Sequence, residues 1–305
     1  MFNKQRKVYL HPANEDWIVD RFVKEWYSDN RDITVLDPRD ADVIWLLASW
    51  AWRNLPNIRI LHEKKVLTTI HHISPEKFNQ QALNDFTLRD SVTDAYHVYN
   101  EHTLEFIKKF TKKPIHLIEY WANQKIWNLS GERKEFRTKY QLPLDGYLVG
   151  SFQRDTEGKD LITPKLEKGP DLFCDAIENW WKENKNLHVV LAGWRRQYVI
   201  SRLTSKGIPF TYFEKPHQQI LNELYQTLDL YPVTSRCEGG PQALIECGLL
   251  NIPVVSRNVG VAKQVLPLES ISDNVCLAIP NIPNVEKYKL PYGYQSYRNL
   301  IEILQ

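Results

Sequence analysis

Two carboxylates, Glu238 and Glu246, stand eight positions apart in the run Arg236-Cys237-Glu238-Gly239-Gly240-Pro241-Gln242-Ala243-Leu244-Ile245-Glu246. Gly239 and Gly240 permit backbone angles closed to other residues and let a ligand approach the main chain, and Pro241 suits a first helical position. A helix from there to about Leu250 offers unpaired N–H groups and the positive end of its macrodipole, a setting that favours a phosphate. Glu238 then lies in the loop before the helix and Glu246 about one and a half turns inside it. Together they suit an anionic, hydroxyl-rich ligand. Taken singly, Glu238 reads more simply as a charge complementing the dipole, and Glu246 as a solvated helix residue.

A second polar cluster follows an apolar run: Val149-Gly150-Ser151-Phe152-Gln153-Arg154, then Lys168-Gly169-Pro170-Asp171 opening a helical pattern. Arg154 and Lys168 are the cations that this arrangement brings forward. The stretch between them also holds Lys159 and Lys165, for which plain solvation is the simpler reading.

The segment Ser235 to Pro241 followed by Glu246 resembles the E-x7-E signature of the retaining family 4 glycosyltransferases, which have the GT-B architecture. The resemblance implies that Glu238, Gly239, Gly240, Pro241 and Gln242 contact a donor sugar and that Glu246 holds the ribose hydroxyls of the nucleotide. It implies that Arg154 and Lys168 bind the donor diphosphate, beside Gly150 and Ser151, and that the stretch around Phe213 lies near the nucleotide base. Arg and Lys normally stand about five residues apart in that family, whereas here they stand fourteen apart, so Lys159 and Lys165 compete with Lys168 for the role.

In the first half, Val66-Leu67-Thr68-Thr69-Ile70 leads directly into His71 and His72. A His at a strand's carboxyl end can hydrogen-bond a substrate rather than core partners. The family often has a His-Asp pair here, so His71 matches and is implied to orient the reacting sugar, while His72 stands where Asp is more common. Trp50, Trp52 and His11 follow other apolar runs and are acceptor-side candidates, the indoles by stacking on a sugar. Core packing is an equal reading for both Trp residues. Many relatives have a glycine-rich loop where His11-Pro12-Ala13 stands.

These residues need elements to place them. Apolar runs alternate with amphipathic ones, without an internal repeat. Strands are expected at 7–10, 33–36, 43–48, 66–70, 95–99 and 115–118, with helices at 15–27, 75–88 and 101–110. After a break at Leu142-Pro143-Leu144-Asp145-Gly146 the alternation restarts: strands at 147–152, 187–192, 210–213, 229–233 and 253–256, and helices at 169–183, 195–206, 218–228 and from 241. Alternation of this kind implies parallel sheets covered on both faces. The expected class is α/β, with two Rossmann-like doubly wound domains facing a central cleft. The expected boundaries are residues 1–143 for an acceptor-side domain, 144–285 for a nucleotide-sugar-binding domain, and 286–305 for a terminal segment packing back on the first.

The 305 residues exceed one comfortable core, and 43% hydrophobic with 25% charged residues is a globular composition. A net charge of +2 argues against a large nucleic-acid footprint. Cys174, Cys237, Cys247 and Cys276 lack both zinc spacing and a paired framework, so free thiols in a reducing compartment are expected. The basic start, Met1 to Lys7, precedes only a short apolar stretch and no run of about 20 apolar residues occurs, so neither a signal peptide nor a membrane span is expected. The location expected is cytoplasmic, with peripheral membrane contact open. Asp40-Ala41-Asp42 is a metal-binding D-x-D pattern, but it precedes its strand, at the wrong end for a cleft, and reads as strand-entry charge. No metal is therefore expected. A G-x-S-x-G elbow, a P-loop and a G-x-G-x-x-G run are all missing.

The function implied is metal-independent, retaining transfer of a sugar, of the hexosyl type. The sugar comes from a UDP- or GDP-linked donor, without other cofactor, and goes to a hydroxyl on a glycan, lipid-linked or other acceptor. The alternatives are a nucleotide-sugar epimerase or hydrolase of the same fold, or an inactive sugar-binding protein.

Overall fold

The computed structural model describes residues 5–15, 18–158 and 160–304. Two compact units emerge: residues 1–120 with 291–305, and residues 121–290.

The first unit runs β1 (Val8–Leu10), α1 (Ile18–Asp29), β2 (Val43–Leu46), β3 (Lys65–Ile70), α2 (Gln80–Asp90), β4 (Ala95–Val98), α3 (Glu101–Ile107) and β5 (Ile115–Leu117). Its five strands pair in parallel in sequence order, Val8 against Val43, Ile44 against Val66, Thr68 against Tyr96 and His97 against His116. Every residue of β2 and β4 is buried, as a parallel sheet covered on both faces requires. Asn79 and Asn100 start α2 and α3 by accepting from the N–H groups of Ala82 and Thr103. The strand expected at 33–36 shrinks to one bridge between Thr34 and Val8. Leu36 is exposed, and Asp37-Pro38 turns the chain into a 3-10 helix where no further N–H can join the ladder. That bridge still lies on the far side of β1 from β2, so the order is doubly wound with its reversal beside β1. A polar relay crosses this sheet. The Trp45 indole donates to Thr69 Oγ1 (2.8 Å), which lies 3.0 Å from His97 Nδ1, and His97 Nε2 lies 2.9 Å from the Ile118 carbonyl. A carbonyl only accepts, so Nε2 carries the proton and the buried ring is neutral.

The second unit runs α4 (Arg133–Lys139), β6 (Tyr147–Ser151), α5 (Pro170–Glu183), β7 (Leu187–Gly193), α6 (Gln197–Ser205), β8 (Phe210–Glu214), α7 (Gln218–Tyr225), β9 (Tyr231–Val233), α8 (Gln242–Leu249), β10 (Val254–Ser256) and α9 (Ala262–Val265). β6, β7 and β8 pair in parallel, as do β9 and β10, and a bridge between Val149 and Leu230 sets β9 beside β6. Read across, the order is β8, β7, β6, β9, β10, the Rossmann-like half, with strand order reversing between β6 and β9. Gly150 packs closely there: a Cβ would lie 2.2 Å from Leu228 Cδ1, so that side chain would have to shift.

The chain returns to the first unit with α10 (Tyr292–Ile303). Tyr297 stacks on Trp45 at 5.4 Å and its hydroxyl donates to the Glu119 carbonyl, while Tyr294 meets Trp26 edge-on. The units divide at Tyr120 and Leu290, whereas the sequence suggested 143, from the Pro-Gly break, and 285. Arg137 on α4 explains the difference. Its buried guanidinium donates to the Thr227, Leu144 and Gly146 carbonyls and to Asp229, tying residues before 143 to the second unit.

Candidate functional site

The reversal between β6 and β9 is where a doubly wound sheet leaves a crevice for a ligand, and the polar residues that follow these two strands converge there. The Gln153 amide donates to the Lys168 carbonyl at 2.8 Å. Ser235, just beyond β9, lies 3.3 Å from Gln153 Oε1 and donates to Glu238 Oε1 at 3.0 Å. Lys168 Nζ is 2.6 Å from the same Glu238 oxygen, and both side chains are largely buried. Gly169 makes this approach possible: its φ is +61°, and a Cβ there would lie 2.0 Å from the Thr234 carbonyl oxygen. Two cross-braces hold the loops. Arg236 makes a two-pronged ion pair with Asp171 (2.7 and 2.5 Å), and its backbone N–H donates to the Glu167 carbonyl.

The fourteen-residue separation of Arg154 and Lys168 is taken up by a small hairpin. Thr156 bridges Pro164, the Lys165 N–H donates to the Asp155 carbonyl, and Asp160 caps the tip at Ile162 and Thr163. The hairpin's two ends therefore meet, and the Gln153 bond brings Lys168 back beside the segment that carries Arg154. Arg154 is half-buried, with Nε enclosed and without a hydrogen-bond partner among the described residues. Lys159 lies outside the described residues.

Glu246 does not sit on a solvated helix face. It is 6% exposed, and Tyr225 donates to its Oε2 at 2.8 Å. Gly239 and Gly240 are not among the glycines in the left-handed region. Gly260 does, at φ +55°, and its loop packs against them closely enough that a Cβ would lie 2.9 Å from the Gly240 Cα. Pro241 caps α8 from outside with an extended ψ of 112°, and the helix begins at Gln242. Ser151 is buried, its hydroxyl and carbonyl both held by Arg196, so it serves packing rather than a ligand. Gly150 likewise serves contact with Leu228. Phe213, half-exposed on β8, meets Tyr140 edge-on at 5.6 Å.

Arg196, Tyr225, Gln153 and Ser235 were not evident from the sequence as site residues. The Arg196 guanidinium is fully enclosed, paired with Asp155 at 3.1 Å and donating to the Ser151 and Ala192 carbonyls, so it locks the ends of β6 and β7. Burial holds the Asp155 carboxyl above the ordinary range, opposed by Arg196. An Arg pair immediately after the strand ending at Gly193 was the available signal.

In the first unit His71 follows β3. Its Nε2 is 2.9 Å from the Leu47 carbonyl and so carries the proton, which leaves Nδ1 to accept from the Tyr120 hydroxyl at 3.4 Å. Burial pushes its pKa down to about 4, so the ring is neutral near pH 7. Trp50, 49% exposed, lies 5.7 Å from His71 and donates its indole N–H to Glu15. His72 is exposed. His11 is buried and hydrogen-bonded to the Ala51 carbonyl at 3.0 Å. Trp52 is a core residue, packed with Ile44, Leu46, Leu55 and Ile60, which removes it from the acceptor side. An open hollow lies at the amino ends of β2 to β4, among Asp42, His62, Lys65 and Lys113, at the opposite end of the sheet from His71. Asp40 is exposed and Asp42 accepts from the Lys7 N–H, both ahead of β2. Among the described residues, no group of three or more His, Cys, Asp or Glu could hold a metal, and no helix is long and apolar enough to cross a membrane.

Residues 164–276 match the family model of glycosyl transferases group 1, a span that includes Lys168, Glu238 and Glu246. The structure is similar to that of Anabaena HepE in complex with UDP-glucose, at a TM-score of 0.71 and 14% identity over 97% of this chain and 88% of that one. A glycosyltransferase from Rickettsia africae gives 0.60 at 15% identity over 99% and 90%. Sucrose-phosphate synthase from Thermosynechococcus elongatus gives 0.56 at 17% over 83% and 63%. No curated protein matches the sequence. At these identities the likeness establishes the fold, the α/β, parallel-sheet architecture of GT-B glycosyltransferases.

Proposed function

We propose that this chain transfers a hexose from a nucleotide-sugar to an acceptor hydroxyl with retention of anomeric configuration, as a cytosolic enzyme without a metal or other cofactor. The observation that carries this reading is the convergence of Lys168, Glu238, Ser235 and Gln153 at the strand reversal of the second unit, inside the span that matches the group 1 family. HepE, similar in fold, was solved with UDP-glucose, which supports a UDP-linked donor among those to try first.

On this reading Arg154 and Lys168 take the donor diphosphate. The enclosed Arg154 Nε already lies in a desolvated setting, where a charge-assisted hydrogen bond to a phosphate oxygen is strong. Glu238 accepts from sugar hydroxyls and Glu246 from the ribose. Acceptor attack and diphosphate departure take place on one face of the sugar. The C–O bond to the acceptor forms as the bond to the diphosphate breaks, and the departing phosphate oxygen takes the acceptor's proton. A neutral His71 is unsuited to carrying that proton in place of the phosphate, since its Nε2–H is committed to Leu47 and its basicity is depressed. Its part is orientation of the donor sugar. The exposed indole face of Trp50, held by Glu15, is suited to stacking on a pyranose acceptor.

The test is incubation with UDP- and GDP-hexoses and a panel of glycoside acceptors, followed by NMR of the product. Transfer that keeps the donor's anomeric configuration supports the reading. Donor consumption without an acceptor, or an inverted product, overturns it.

A further inference from the structure

Tyr225 ends α7 and is 2% exposed, yet its hydroxyl reaches 21 positions along the chain to donate to Glu246 Oε2 at 2.8 Å. Its ring is fixed on three sides: Phe152 at 4.6 Å, Tyr231 at 5.5 Å and Trp127 edge-on at 5.8 Å. Tyr231 is itself tied down, because its hydroxyl accepts from the Phe152 N–H at 3.0 Å. Phe152 lies two residues before Arg154, at the end of β6. One aromatic cluster therefore braces both the segment carrying Arg154 and the phenol that holds the Glu246 carboxylate.

A buried carboxylate on a flexible two-carbon stem has several rotamers, and a rigid donor bonded to it favours some of them over the rest. Burial, reinforced by the Glu246 charge, keeps the phenol protonated well beyond its ordinary range, so the bond persists at any working pH. A carboxylate accepts through two oxygens, and a vicinal diol presents two hydroxyl donors to such a group.

We propose that Tyr225 is a positioning residue. Its hydroxyl sets the Glu246 carboxylate at the angle that receives both ribose hydroxyls of the donor nucleotide, and so makes the protein prefer ribonucleotides over 2′-deoxyribonucleotides. The inference deepens the donor-binding reading and rests on it. It assigns Tyr225 no contact with the reacting atoms.

The experiment compares UDP with 2′-deoxy-UDP, and GDP with 2′-deoxy-GDP, by calorimetry on wild type, Tyr225→Phe, Glu246→Ala and the double variant. Wild type is expected to prefer the ribonucleotide. Tyr225→Phe should weaken that nucleotide about tenfold, the scale of a hydrogen bond to a charged group, and weaken its deoxy form, which keeps only the 3′-hydroxyl for the carboxylate, by clearly less. In the Glu246→Ala background the same change should have no further effect, because Tyr225 acts through the carboxylate. Equal weakening of both nucleotides, or an undiminished effect without Glu246, would assign Tyr225 a purely structural role and overturn the proposal. Should Tyr225→Phe alone fail to fold, Glu246→Gln takes its place. That variant keeps an acceptor for the phenol but gives the ribose a mixed donor and acceptor, and unchanged discrimination there is equally fatal. A wild type that binds UDP or GDP with no ribose preference sinks this inference and leaves donor binding standing. A wild type that binds neither nucleotide sinks both.

Discussion

The Lys168–Glu238 ion pair predicts that removing an acid tightens binding of an anion. Lys168 Nζ and Glu238 Oε1 are 2.6 Å apart, with side-chain exposures of 20% and 10%. This places the pair between exposed pairs, which contribute about 0–1 kcal/mol, and fully buried ones, whose disruption costs about 3–5 kcal/mol. A charge-assisted hydrogen bond of roughly 2 kcal/mol is a fair intermediate. A diphosphate that takes Lys168 must compete with that carboxylate. Glu238→Ala removes the competitor, and about 2 kcal/mol corresponds to roughly 30-fold tighter UDP or GDP binding. Glu238→Gln leaves an amide oxygen for Lys168 and recovers about half the energy, roughly fivefold. Calorimetry at low and at high salt reads both, and the gain should shrink as ionic strength rises. Sugar transfer by either variant should fall, since the carboxylate that receives the sugar hydroxyls is gone. Unchanged or weaker nucleotide affinity in both variants refutes the competition, as does an equal gain in a Lys168→Met background.

Arg154→Ala should lower turnover by about 3 kcal/mol, near 150-fold, if its guanidinium stabilises the leaving diphosphate; single-turnover rates within a few-fold of wild type would remove it from that role. Activity should be unchanged in excess chelator, and a strict need for manganese or magnesium would turn attention to Asp40 and Asp42. Stability should fall on acidification. Burial lowers His97 to about 3 and His71 to about 4, below the ordinary value near 6.5. Over that interval the unfolded chain binds more protons than the folded one. The stabilisation is thus complete above pH 6.5 and is lost as pH falls, by about 1.4 kcal/mol per pH unit for each ring. Melting temperatures from pH 7 to 4.5 should show the decline, and His97→Gln should flatten it; an equally steep decline in that variant would remove His97 as a cause.

The parallel sheets were legible because strands covered on both faces, as β2 and β4 are, are buried along their whole length and so read as mostly apolar runs. The reversal between β6 and β9 was not, since strand order arises from pairing between residues such as Val149 and Leu230, far apart in the chain. The carboxylate spacing around Pro241 drew attention to Glu238 and Glu246, but not to the contacts that hold them. Lys168 meets Glu238 from 70 positions away and Arg196 meets Ser151 from 45, distances over which no local pattern operates. Gly239 and Gly240 stand out in sequence, whereas Gly260 and Gly169 are the residues whose backbone conformation and crowding demand glycine. Trp52 read equally as an acceptor-side indole or a core residue, and a short 3-10 turn carries it into the core beside Leu55.

The most direct measurement is a crystal structure of the protein bound to the nucleotide of the donor it turns over. The account predicts the diphosphate against Arg154 and Lys168, the Lys168–Glu238 bond opened, and the ribose hydroxyls on the Glu246 carboxylate. A nucleotide bound elsewhere, with Glu238 still on Lys168 and Glu246 touching no ligand, contradicts it.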